Sequence, residues 1–121
     1  MEKRILVVDD DFMTLRMSEM FLKKDGYQVL KAQSGEACLQ LLKEESVDLI
    51  LLDMEMPEMD GLQTLQQLRV ENLCGGAPVY FLSGSDDVQE QVEKGTYPAD
   101  GFIHKPFLPA QLLADVKQAL S

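Results

Sequence analysis

The 121 residues carry 21 acidic and 11 basic side chains, for a formal net charge of −10, and 45% of them are hydrophobic. That length and apolar content suit one domain over residues 1–121, with a core of its own, and exclude a disordered chain in spite of the charge. The acidic balance argues against direct nucleic-acid binding, which needs clustered Lys and Arg, and no window approaches the ~20 apolar residues of a membrane span.

The start, MEKRILVVDDD, lacks the apolar stretch of a signal peptide and runs straight into a strand. Ile5–Val8 is a continuous apolar run ending in Asp9-Asp10-Asp11, the pattern of a strand buried on both faces of a parallel sheet. Phe12–Lys24 follows as a helix that Asp11 caps. Its Met13, Met17, Met20 and Phe21 fall at i, i+4, i+7 and i+8, which places them in the core. Asp25-Gly26 ends this helix. Tyr27–Ala32 is a more mixed strand that suits a sheet edge. Ser34 is an N-cap for a helix over about Gly35–Glu45, on which Cys38 is a small core residue. Asp48–Leu52 is a second fully apolar strand, stopping at Asp53.

The loop Met54–Asp60 holds Pro57, and Asp60 caps a helix from Gly61 that turns Leu62, Leu65 and Leu68 inward. Asn72–Ala77 is a Gly-rich connection holding Cys74, for which no role is evident. Val79–Leu82 is a fourth strand ending at Ser83, and a short helix is expected over about 86–94. Gly101–His104 is a fifth strand running into Lys105-Pro106. A last helix, about Pro109–Leu120, buries Leu112, Leu113, Val116 and Leu120. The two cysteines form no CxxC or Cys/His cluster and read as reduced thiols of a cytoplasmic protein. Strictly alternating strands and helices predict a doubly wound α/β fold, (βα)5. Its five parallel strands take the flavodoxin-like order 2-1-3-4-5, with helices on both faces.

Four of the strands end in residues with chemistry: Asp9 and Asp10 after the first, Asp53 after the third, Ser83 after the fourth and Lys105 after the fifth. Open parallel sheets bind ligands beyond their carboxyl ends at the topological switch point, here between strands 1 and 3. Asp9, Asp10 and Asp53 therefore converge. Three carboxylates in one pocket call for a cation, and oxygen-only ligands point to Mg²⁺, or to Mn²⁺ in its place. With Lys105 as a mobile positive charge and Ser83 as a hydroxyl donor, the set suits phosphoryl transfer, with Asp53 as the nucleophile that becomes an acyl phosphate. Asp11 and Asp60 read as helix caps rather than ligands.

ILVVDDD, LILLDMEMPEMDG, FLSGS and DGFIHKPF also occur in the order and at the spacing of one family. Over nearly its whole length the chain resembles the receiver domain of two-component response regulators. The resemblance implies Asp53 as phosphoacceptor, Asp9 and Asp10 as the acidic pair, the Glu55 backbone carbonyl as a further metal ligand and Lys105 as the phosphate-contacting lysine. It also implies a cis Lys105–Pro106 bond, Ser83 as the switch hydroxyl and Phe102 as the switch aromatic. The phosphodonor becomes the phosphohistidine of a sensor histidine kinase or phosphotransfer protein. The switched surface lies around the expected 86–94 helix, the fifth strand and the last helix, where a phosphorylation-dependent dimer can form. Such a domain assists its own phosphorylation and dephosphorylation and is not an enzyme acting on other molecules.

Glu55 and Ser85 stand at family positions that tune phosphoryl lifetime. The Asn72–Ala77 loop is long for the family, and Tyr97-Pro98 is unusual. His104 shares a strand face with Phe102 and points away from the pocket. Besides a receiver feeding an unknown output domain, two other readings stand. One is a receiver within a hybrid kinase or phosphorelay. The other is a haloacid-dehalogenase-type phosphohydrolase, suggested by Asp53-Met54-Glu55 after an apolar strand, although that scheme leaves Asp9 and Asp10 without a role. A flavodoxin relative is excluded, because three carboxylates replace its phosphate-binding loop.

Overall fold

The computed structural model describes residues 2–84 and 99–121, and the expected alternation is present in them. Strands β1 (Arg4–Val8), β2 (Gln28–Ala32), β3 (Leu49–Asp53), β4 (Val79–Ser83) and β5 (Gly101–His104) are all parallel, in the order β2-β1-β3-β4-β5. Helices α1 (Phe12–Lys24), α2 (Gly35–Glu44), α3 (Gly61–Val70) and α4 (Pro109–Leu120) connect or follow them. The helix expected at 86–94, Ser85 and Tyr97-Pro98 lie outside the described residues.

The apolar strands are buried on both faces because alternate side chains serve different layers. Leu6, Val8, Ile50, Leu52, Val79 and Phe81 pack with α2 and α3, through Cys38, Leu42, Leu65 and Leu68. Ile5, Val7, Leu49, Leu51, Leu82 and Ile103 pack with α1 and α4, through Leu15, Leu22, Leu112 and Val116. Leu62, Leu113 and Leu120 are half-buried against these layers. Both cysteines are free and buried.

The helix starts follow their caps. The Asp11 carboxylate accepts from the Met13 N–H (3.2 Å) and the Thr14 hydroxyl (2.7 Å). Ser34 Oγ accepts from the Ala37 N–H (3.0 Å). Asp60 and Gln63 form a reciprocal capping box, each side chain accepting from the other's backbone N–H. At the end of α1, Gly26 takes a φ of 97°, which an L side chain resists.

The expectation for α1 is corrected on one point. Met13, Met17 and Met20 do not enter the core: they are 58%, 43% and 58% exposed. Phe21 is half-buried. The face turned to the sheet is Leu15, Ser18 and Leu22. Both stripes have helical spacing, and what selects between them is shape: small Ser18 between two leucines lets the helix lie close on the strands. The cost is a buried Ser18 hydroxyl with no hydrogen-bond partner among the described residues. Replacing Ser18 with Ala is therefore expected to stabilise the fold by about 1 kcal/mol. Leu15→Ala should cost roughly 2–5 kcal/mol, and Met17→Gln should stay within about 0.5 kcal/mol of wild type. Urea-denaturation midpoints of the three variants check the assignment of faces.

Candidate functional site

The carboxyl ends of β1 and β3 are neighbours, and both deliver acids there. Asp9 follows β1 directly, is fully buried, and donates its backbone N–H to the Ala32 carbonyl (3.1 Å). Asp10 is exposed. Asp53 is the last residue of β3, in register with Leu82 of β4, and only 4% exposed. One carboxylate oxygen from each of Asp9, Asp10 and Asp53 lies within 4.8 Å of the other two. Ser83, buried at the end of β4, stands one residue beyond the Asp53 register.

Lys105 enters from the adjoining strand end. Its ammonium donates to Asp9 Oδ2 (2.5 Å) and to Asp53 Oδ1 (3.2 Å), bridging the two buried acids. Its backbone N–H donates to the Ser83 carbonyl (2.7 Å), and the Lys105–Pro106 bond is cis. Asp9 Oδ1 accepts from the Asp11 N–H (2.9 Å), and Asp53 Oδ1 also accepts from the Glu55 N–H (3.3 Å). Asp11 thus does more than cap α1, because its backbone holds the first buried acid in place.

Electrostatics follow from this crowding. Burial, and then the charge of Asp9, push the Asp53 carboxyl up to about 7, although Lys105 and the Glu55 N–H pull the other way. Burial works against the Lys105 charge, but the hydrogen bond to Asp9 and the charges of both acids outweigh it and hold the ammonium above its ordinary range. The pocket keeps its lysine charged and its central acid reluctant to ionise.

The loop after Asp53 is held by close backbone contact. A Cβ at Gly61 would come within 2.6 Å of the Asp53 carbonyl oxygen and 2.8 Å of Met54 Cα. The Gly61 N–H donates to the Met54 carbonyl (3.1 Å), closing the loop on itself. Met54 and Met56 anchor it in the core, while Glu55 between them is exposed. Phe102 is half-buried, its ring 6.2 Å from that of Phe81 at 30°. His104 is exposed and lies two residues along β5 from Phe102. A cavity of about 270 Å³ beside the pocket is lined by Thr14, Met17, Lys105, Pro106 and Phe107.

Every residue expected at the strand ends is therefore in place. The sequence reading missed three things: the direct Lys105–Asp9 contact, the backbone role of Asp11, and the cavity under Met17. The Asp-Gly pair at 60–61 was a visible signal for the tight loop. Nothing local to residues 9 and 105 marks their pairing.

Comparisons with known proteins agree with this geometry. The family model described as response regulator receiver domain matches residues 5–117. The alkaline phosphatase synthesis transcriptional regulatory protein PhoP of Bacillus subtilis is 36% identical over 120 residues, covering 99% of this chain and 49% of the relative. The chain spans about half the length of the curated relatives it matches. Among solved structures, the chemotaxis response regulator CheY4 of Vibrio cholerae is similar with a TM-score of 0.90 at 27% identity, covering 99% of this chain and 100% of that one. The signal receiver domain of a signal transduction histidine kinase from Syntrophus aciditrophicus is similar with a TM-score of 0.85 at 30% identity, covering 98% and 89%.

The raised Asp53 carboxyl has a consequence for stability. Between its ordinary value and about 7 the folded chain holds a proton that the unfolded chain has released, so stability falls as pH rises through that window. In metal-free buffer, the stability of wild type minus that of Asp53→Asn is expected to decrease from pH 4.5 to pH 7.5. Denaturant titrations of both proteins across that range measure it, and a flat difference contradicts the assignment.

Proposed function

This chain belongs to the response regulator receiver domain family, and on that footing we propose that Asp53 accepts a phosphoryl group from a phosphohistidine. The observation that carries the reading is the convergence of the Asp9, Asp10 and Asp53 carboxylates within 4.8 Å, with the Lys105 ammonium against two of them. The donor is a sensor histidine kinase or a phosphotransfer protein. The likeness to the receiver of a histidine kinase favours a second setting, a receiver inside a hybrid kinase or phosphorelay. In both settings the domain is the acceptor rather than an enzyme acting on other molecules, and no turnover of small phosphoesters is expected.

An oxygen-only donor set with one exposed acid and two buried ones fits a small hard divalent cation. Asp9, Asp10, Asp53 and the Glu55 carbonyl would hold Mg²⁺, or Mn²⁺. Bound there, the ion supplies positive charge for the acids and for the phosphoryl oxygens. That charge matters because burial and Asp9 push Asp53 toward its protonated form, and only the carboxylate is a nucleophile. An Asp53 oxygen attacks phosphorus, the P–N bond to the donor histidine breaks, and its electron pair stays on the imidazole. The product is an acyl phosphate on Asp53. Lys105 and the Ser83 hydroxyl stand at neighbouring strand ends, where they can hold the equatorial oxygens.

The readout follows from the same strand ends. Ser83 turning toward the phosphoryl group would vacate space beside β5, and Phe102 can follow it inward. A phenyl ring needs no buried hydrogen-bond partner, unlike the hydroxyl of Tyr. Glu55, exposed at the mouth, can orient the water that later hydrolyses the acyl phosphate.

Incubation with acetyl phosphate and Mg²⁺ should add one phosphate to the wild-type chain by mass, and none to Asp53→Asn. Labelling retained in the variant overturns the assignment. Glu55→Asn is expected to slow hydrolysis of the phosphorylated chain severalfold, followed as loss of the added mass after the donor is removed. An unchanged rate removes Glu55 from the mechanism.

A further inference from the structure

We propose that the cleft between α1 and α2 is a binding site for a small aromatic carboxylate, separate from the acidic pocket. The cleft has a volume of about 490 Å³, within the range of small-molecule sites. Leu15 and Ala32, both buried, line it together with the ring of Phe12. That ring is 58% exposed and stacks on no other ring among the described residues. A flat apolar body laid on it would take both apolar surfaces out of water. The cleft is not an extension of the acidic pocket, because none of Asp10, Asp53, Ser83 and Lys105 lines it. Ala32 links the two, since its carbonyl accepts the Asp9 N–H (3.1 Å).

Charge decides what kind of body the cleft takes. Its lining carries two cations, Arg16 and Lys31, and one acid, Glu19, in a chain whose net charge is −10. Glu19 is already answered twice: Lys31 and Lys23 each approach one of its carboxylate oxygens at 3.1 Å. Arg16, three residues before it on α1, makes no hydrogen bond or ion pair among the described residues. An anion that most of this molecule repels is therefore admitted here, beside a guanidinium with all its donors open. Spacing then sets the ligand's size. Phe12 and Arg16 are four residues apart on one helix face, about 6 Å between Cβ atoms. A carboxylate joined directly to a ring fits that span, with the ring on Phe12 and both oxygens on the guanidinium. The phosphate of a nucleotide, a sugar away from its base, overreaches it.

Amide chemical-shift titrations of wild type, Arg16→Ala and Ala37→Trp test the proposal without using phosphorylation. The probes are 2-naphthoate, its neutral counterpart 2-naphthamide, and acetate, which has the charge but no ring. In wild type, 2-naphthoate should shift the Phe12, Ala32 and Ala37 amides to saturation and bind about tenfold more tightly than either of the others. Arg16→Ala should bind it about tenfold more weakly. Ala37→Trp fills the cleft from α2 and should abolish the shifts. Residues 16 and 37 are both exposed, so neither change should disturb the fold, and unchanged thermal midpoints check this. Equal affinity for 2-naphthoate and 2-naphthamide overturns the proposal. So do shifts centred on Ser83 and Lys105, shifts that never saturate, or an Arg16→Ala variant that binds as wild type does.

Discussion

The structure turns on two buried carboxylates that share one ammonium. Asp9 and Asp53 sit at adjacent strand ends with almost no access to water, and Lys105 is the cation against both. Buried acids in such a pair are tolerable only while a positive charge stays with them. The rest of the fold can be read as the means of keeping that charge there. β1 and β3 must be neighbours, β5 must end within reach of both, and the Asp11 and Glu55 N–H groups must take up lone pairs that the lysine leaves open. A protein selected for stability alone gains little from this arrangement, since apolar side chains in the same space cost less to bury.

Backbone packing sets the positions of the acids. Gly61 has no room for a Cβ against the Asp53 carbonyl. Gly35 at the start of α2 likewise has no room, because a Cβ there would meet Thr64 Oγ1 at 2.3 Å and Met59 Sδ at 2.8 Å. These two glycines bring the first turns of α2 and α3 down onto the loop that follows the central acid. The loop itself is exposed at Glu55 and buried at Met54 and Met56, so its outer side is open to change while its inner side is held.

The strand pattern was legible because each fully apolar run admits one reading in an alternating α/β chain, and the acids that stop those runs mark the site. The caps at Asp11, Ser34 and Asp60 were equally visible, since each is a short-range contact within three residues. The orientation of α1 was not. Met13, Met17 and Met20 make as good a helical stripe as Leu15, Ser18 and Leu22, and theirs is the stripe that is apolar at every position. Only the closeness of approach to the sheet, a tertiary quantity, selects the stripe that contains a serine. The Lys105–Asp9 contact was hidden for a related reason. It spans 96 positions, and residue type alone assigns the lysine to a phosphoryl group rather than to an acid already in the pocket.

β5 is the element through which the proposed phosphorylation would be felt elsewhere. Lys105 follows directly on the strand, with Phe102 three residues before it, and alternation along that strand sends Ile103 into the layer of α1 and α4 while Phe102 packs on Phe81 in the opposite layer. The Lys105 N–H is tied to the Ser83 carbonyl at 2.7 Å, which joins the backbones at the two strand ends. In the proposed switch, a change in what the ammonium holds would act on a segment whose next few side chains reach both faces of the sheet. Close-packed layers do not yield continuously; they exchange one arrangement for another. A half-buried ring beside a strand end that answers to charge is where such an exchange costs least. Under the proposed function, that would give the pocket at Asp53 a mechanical route to the surface near Phe102.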